Sequence, residues 1–373
     1  MAQEQLVMRI AVLLAAILLV MLVVLIARLR GRRAERRNDE PWNFLPGQAA
    51  GAATTFGNGQ SIPYADQTLE IMVLEVYRKA FGTTNFNYAV LGEHEAVMAS
   101  VRASLARAVG EREFFPRKPL IIPRLLAAMK NSESSLKELV EIIMQDPVLT
   151  GDVLRMANSS FYRIGKEPID TLGRAVVLLG MEGLRSLVAS TVMQPVFQVP
   201  RGYFEQFSVT VWSLAQRSAL GAQAYARLTR ECDSFSAHLL SLLYYLGYIV
   251  LFRLTVSTYQ QASGSLPRAE VFTRLIDERA EVLAGLIAKE WELPAPMRDA
   301  LSEHTARRDV ESMSPLARAL YFGRLCGMAS LLAEELQQDP AELLALLERK
   351  GLNASEAQTL WNGTLKPRPG QPG

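Results

Sequence analysis

The chain has 373 residues, 49% of them hydrophobic, and a formal net charge of only +2 from 40 basic and 38 acidic side chains. So balanced a charge leaves little excess to suggest a nucleic-acid surface, and the length suits one large domain or two modest ones with a real core. Two cysteines far apart, Cys232 and Cys326, and three histidines, His94, His238 and His304, provide no close metal-ligand spacing; the thiols read as buried and unpaired rather than as a disulfide.

The first element is the run Ile10 to Ala27, eighteen residues without a charge or strong polar group. As a helix it rises about 27 Å, close to the roughly 30 Å apolar layer of a bilayer. Arg28, Arg30, Arg32, Arg33, Arg36 and Arg37 follow it, and only Arg9 precedes it. By the positive-inside rule this predicts an N-terminal transmembrane helix over 10–27 in the inner (cytoplasmic) membrane. It predicts a single pass, N-out/C-in, with 1–9 outside and the main domain cytoplasmic. Anionic lipid is expected near Arg28–Arg37. A signal peptide would carry its basic residues before the apolar core, not after it.

Residues 28–64 read as a basic juxtamembrane segment and linker, rich in Gly and Pro from Pro41 to Pro63. A helical pre-domain follows over 65–110. Leu69, Val73, Val76 and Tyr77 recur at helical spacing before Gly82, and Val97, Val101, Leu105 and Val109 make a second stripe before Gly110. Three roles stay open for this pair: packing onto the next domain, forming a homodimer, or relaying membrane attachment.

From 111 the pattern is a series of helices. Leu120 to Met129 forms a short one, with Pro123 near its start. Ser135 with Glu138 reads as a capping box, and Asp146 as the cap of a helix that begins at Pro147 and ends near Asn158 and Ser159. Thr171 to Leu179 closes at Gly180, and a further helix runs from Glu182 to Met193. This resembles a helix-turn-helix, but its second helix offers Leu187, Val188, Ala189 and Val192, a face built for burial, so nucleic acid is disfavoured as a partner.

Residues 204–226 and 235–256 read as long helices. The second is nearly apolar, but His238, three tyrosines and Arg253 mark it as a central buried helix rather than a second span. Residues 270–290 run into a turn at Trp291-Glu292-Leu293-Pro294, and the last helices are 316–336 and 341–347 within an extension over 311–365. A tail over 366–373 reads as disordered. No strand pattern competes, so the fold class is all-α.

Phe115-Pro116-Arg117 with Pro119 and Pro123, Asp146-Pro147, Met156-Ala157-Asn158-Ser159, Leu178-Leu179-Gly180 and Trp291-Glu292-Leu293-Pro294 together resemble the HDOD family, the HD-related output domains of bacterial signalling proteins. The resemblance covers 111–310 and implies a multi-helical HD-like bundle. It gives Asp146, Pro147, Asn158, Ser159, Gly180, Trp291 and Pro294 as structural motif positions. It also implies a signalling or scaffold protein that recognises another signalling protein and has no hydrolase activity.

HD phosphohydrolases, to which the family is related, hold a metal with adjacent His and Asp on a helix. By this resemblance Tyr244 and Tyr245 stand at those positions, Tyr248 where a lysine is common, Leu214 and Arg279 where further histidines occur, and His304 at a retained one. Phenols do not replace imidazole and carboxylate around a hard metal, so no catalytic residue, metal or cofactor is expected. The alternative is a receptor for a small ligand or nucleotide in a degenerate HD pocket formed by Tyr244, Tyr245, Tyr248, Arg279 and His304.

Overall fold

The structure is a computed structural model. It describes residues 64–364, apart from 88–89, 91, 109–115, 128–133, 164, 166, 200–201, 263–265, 307–308 and 337–339. The chain divides into two units at Ser61/Ile62, and the described residues all belong to the second.

The order is α1 (Tyr64–Phe81), α2 (Glu93–Ala108), α3 (Ile122–Ala127), α4 (Ser134–Met144), α5 (Pro147–Ala157), α6 (Leu172–Met193), α7 (Gln206–Thr229), α8 (Ser234–Gln261), α9 (Ala269–Glu290), α10 (Ala295–Thr305), α11 (Pro315–Leu336), α12 (Ala341–Arg349) and α13 (Ala354–Thr364). The described residues form an all-helical bundle. At its centre α8 packs between α7 and α9, and α11 packs along another side of α7. The expected burial of α8 holds: His238, Tyr244, Tyr245 and nearly every aliphatic side chain along it are shielded from solvent.

Membrane attachment needs correction. Residues 10–27 and the arginines after them lie outside the described residues, as do 1–9 and 366–373. Among the described residues, two helical stretches are long and apolar enough to cross a membrane, and both are mid-chain, Leu172–Phe197 and Ser234–Gln261. Length and apolarity therefore do not single out the N-terminal run, and an N-terminal transmembrane helix with a single N-out/C-in pass is not supported. The physical reason is that a core helix meets the same two criteria as a membrane span: Ser234–Gln261 is apolar because protein surrounds it.

Several local readings hold in detail. Asp146 Oδ1 accepts from the amides of Val148 at 2.9 Å and Leu149 at 3.0 Å, capping α5 with Pro147 at its first position. Gly180 breaks α6 with φ 67°, a conformation that a side chain would strain. The second half of α6, the DNA-reading half of the helix-turn-helix look-alike, buries Leu187, Val188 and Ala189 completely. The side chains of Ser135 and Glu138 lie outside the described residues, so their capping box is not seen.

One helix, α13, escaped the sequence reading. Its signal is a reciprocal cap. Asn353 Oδ1 accepts from Glu356 N at 2.9 Å, and Glu356 Oε2 accepts from Asn353 N at 2.8 Å. The short polar sequence after it hid the amphipathic pattern, yet Leu360 and Trp361 are buried.

Of the roles open to the pre-domain helices, packing is the one the structure displays. Phe81 of α1 meets Phe204, Phe207 and Phe272 with ring centroids 5.0, 5.2 and 5.7 Å away. Arg102 of α2 makes a two-pronged contact with Glu278 of α9 at 2.8 and 2.9 Å. His94, also on α2, meets the Tyr259 hydroxyl at 2.9 Å.

Replacing Asp146 by Ala should cost about 0.5–2 kcal/mol of stability in urea unfolding, and Asn should recover most of it. An Asn variant as damaged as the Ala variant would mean that the carboxylate has a role beyond capping.

Candidate functional site

The site forms where α8, α9, α10 and α11 converge, and two glycine contacts set its geometry. A Cβ on Gly247 of α8 would lie 2.1 Å from the carbonyl oxygen of Ala280 on α9, so only glycine lets these backbones touch. A Cβ on Gly323 of α11 would lie 2.6 Å from Ser218 O and Ala222 N on α7. The first contact sets Glu281 beside Tyr244. The second seats α11, and with it Arg324, against α7.

The resulting group is closely packed. Tyr244 and Tyr245 are each 1% exposed, and their rings meet edge to face at 5.1 Å. Tyr248 packs on both, at 6.0 and 5.3 Å. Tyr244 donates its hydroxyl to Glu281 Oε1 at 2.7 Å, and the Tyr245 hydroxyl pairs with Ser218 Oγ at 3.0 Å. Arg324 lies with Cζ 4.1 Å from the centre of the Tyr244 ring, a cation–π contact. Its Nη1 donates to His304 Nδ1 at 3.2 Å and to Glu281 Oε1 at 3.4 Å. Because Nδ1 accepts from a guanidinium, the His304 proton is assigned to Nε2, which is buried without a partner.

Burial pushes the phenols of Tyr244, Tyr245 and Tyr248 up, against the opposing pull of Arg324, so all three stay protonated. His304 falls to about 3, first through burial and then through the Arg324 charge. Burial works to lower Arg324 itself, but the group around it outweighs that and holds the guanidinium charged, with the Glu281 carboxylate as the anion beside it.

Four of the five residues expected in a degenerate pocket, Tyr244, Tyr245, Tyr248 and His304, therefore come together. Arg279 does not join them: it is exposed on α9, and Glu281, two residues on, faces Tyr244 instead. Leu214, at the other expected histidine position, is a buried aliphatic side chain. The sequence reading missed Arg324, Glu281 and Ser218. Arg324 had a signal, as the only cation in the apolar stretch Leu320 to Leu332.

The metal that the HD relationship implies does not fit these residues. Among the described residues no group of three or more His, Cys, Asp or Glu side chains could hold one. The phenols are protonated, and the Nδ1 lone pair of His304 is taken by a guanidinium whose own charge opposes a divalent ion.

A second buried polar group ties the motif-bearing part to the bundle. Tyr162 OH meets Ser190 Oγ at 2.6 Å, and Ser190 Oγ meets His238 Nε2 at 3.0 Å. His238 falls to about 3, chiefly through burial and then through Arg227. A serine beside an imidazole suggests a nucleophile, but neither side chain is reachable by a substrate, since both are fully buried. Two of the motif positions make contacts that hold neighbouring segments together. Asn158 bonds the backbone of Ile169 in both directions, at 2.7 and 2.8 Å, fixing the loop between α5 and α6. Trp291 Nε1 donates to Pro116 O at 2.8 Å, joining the Trp-x-Leu-Pro turn to the Phe-Pro-Arg segment. Both cysteines are free thiols; burial lifts Cys326 to about 12.

The HDOD domain model matches residues 115–307, just over half of the chain, and the protein belongs to the HDOD domain family. An uncharacterized protein of Treponema pallidum (strain Nichols) is 25% identical over 240 residues, covering 62% of this chain; the match spans 45% of that protein's length. Two solved structures share the chain's overall similarity. One is an HDOD domain protein of unknown function from Geobacter sulfurreducens, 20% identical over 72% of this chain and 93% of its own, TM-score 0.49. The other is a protein from Shewanella amazonensis SB2B whose phosphohydrolase designation is provisional, 22% identical over 70% and 95%, also TM-score 0.49.

Both buried histidines hold their protons less tightly in the folded chain than the ~6.5 of an exposed imidazole. Between about pH 6.5 and 3 the unfolded chain therefore binds more protons. The stability linked to these groups is full above about pH 6.5 and falls as pH drops through that window. Replacing His304 by Gln should flatten the dependence of unfolding free energy on pH by up to one proton, read from urea melts between about pH 7 and 5. An unchanged slope would mean that the imidazole titrates alike in both states.

Proposed function

We propose that this chain is a non-hydrolytic signalling or scaffold module that works by binding a protein partner. The observation that carries this reading is the burial of Tyr244 and Tyr245 at the positions where the HD relationship places its metal-binding pair. The same rings support recognition over the alternative, a receptor for a small ligand or nucleotide, because they pack on one another and on Arg324.

Recognition needs apolar surface outside the core, and the motif-bearing helices carry it. Val177, 82% exposed, and Leu178 precede the Gly180 break in α6; Met144 ends α4, and Val148, 73% exposed, begins α5. Their flanking helices α5 and α6 pack on one another. We take this surface as the partner-binding face.

The full chain, assayed with manganese, iron or magnesium against cyclic dinucleotides and simple phosphoesters, is expected to show no turnover above blank. A photo-crosslinker at Val177 should capture one protein in its native cells, and capture should fail when Leu178 becomes Glu at an unchanged melting temperature. Metal-dependent turnover that disappears on substitution of Tyr245, or capture indifferent to Leu178→Glu, would overturn the reading.

A further inference from the structure

We propose that Arg324 is the resident cation of this centre and stands where the HD fold places a metal ion. The guanidinium touches two of the residues that the resemblance sets at metal-binding positions: the ring of Tyr244, from the adjacent pair, and Nδ1 of His304, the retained histidine. The lone pair with which an imidazole would bind a metal is here given to an N–H of Arg324.

The remaining contacts match a planar organic cation. Glu281 supplies one carboxylate oxygen, which also accepts from Tyr244, and the Tyr244 ring supplies a face. A guanidinium is satisfied by in-plane acceptors and an aromatic face. A hard divalent ion needs several anionic oxygens around it, and this group has none to spare. The side chain of Arg324 is only 17% exposed, so its charge depends on these contacts.

Sequence position makes the case sharper. The family match ends at residue 307, and Arg324 comes from α11, beyond it. On the other side, Tyr77 of α1 precedes the match at 115 and donates its hydroxyl to Asp277 of α9, within electrostatic reach of Tyr248 and Tyr244. The HDOD segment thus supplies the tyrosines, Glu281 and His304, and a flanking helix supplies the cation. Emptied of its side chain, the site should accept a free guanidinium ion.

The test uses the full chain with Arg324→Ala. Its melting temperature should fall. Guanidinium chloride at about 10 mM, well below denaturing levels, should restore most of the loss in a saturable way, as expected for a ligand that binds only the folded state. Sodium or tetramethylammonium chloride at the same concentration should not, and none of the three should raise the melting temperature of the unaltered chain. If Arg324→Ala does not fold, arginine-selective NMR of the unaltered chain decides. One guanidinium should exchange slowly and be shifted upfield by the Tyr244 ring, and that signal should be missing in Arg324→Lys. An Arg324→Ala chain as stable as the original, an absence of guanidinium rescue in a folded variant, or only solvent-averaged guanidinium signals would overturn the proposal. These outcomes are independent of whether a protein partner is found.

Discussion

A positive charge held inside a helical bundle is the constraint on which the centre depends. Removing a guanidinium from water is costly unless every contact replaces hydration. Arg324 meets most of this through Nη1, with a carboxylate, an imidazole lone pair and an aromatic face drawn from three other helices, while its Nε is buried without a partner. Those partners are in reach because backbones touch: α8 on α9 at Gly247, α11 on α7 at Gly323. A methyl group at either glycine would push a helix outward, and the contacts of about 3 Å would open together. Helix packing and electrostatics are therefore one problem here.

The same arrangement fits the proposed reading, in which the bundle works without a metal. A divalent site would place strong charge between several acidic donors and an open coordination position. Here three protonated phenols and one guanidinium fill the space, and one carboxylate balances them. The bundle keeps a cation at its centre, which preserves the packing, but the cation is tethered to the chain and has no open position for a phosphate. The surface proposed for a partner lies elsewhere, where α4, α5 and α6 expose Met144, Val148, Val177 and Leu178.

Much of the fold could be read from residues with a single physical job. Asp146 before Pro147 announced a helix start, Gly180 a break, and the tyrosines of the apolar stretch a core helix. The centre was half readable. Tyr244, Tyr245, Tyr248 and His304 were named from family positions, but Arg279 was given a place that Glu281 occupies, because a two-residue step on a helix turns a side chain about 200°. Arg324 was missed because its partners are distant in sequence, and no local pattern records them. The membrane assignment failed for a related reason: a long apolar run reports removal from water, and sequence alone does not distinguish lipid from protein as the shield.

The most direct measurement is an anomalous-scattering map from crystals of the protein soaked in manganese. The account predicts no anomalous peak among Tyr244, Tyr245, Glu281 and His304, with planar guanidinium density lying on the Tyr244 ring. A manganese peak within bonding distance of His304 Nδ1, with Arg324 displaced from the ring, would contradict it.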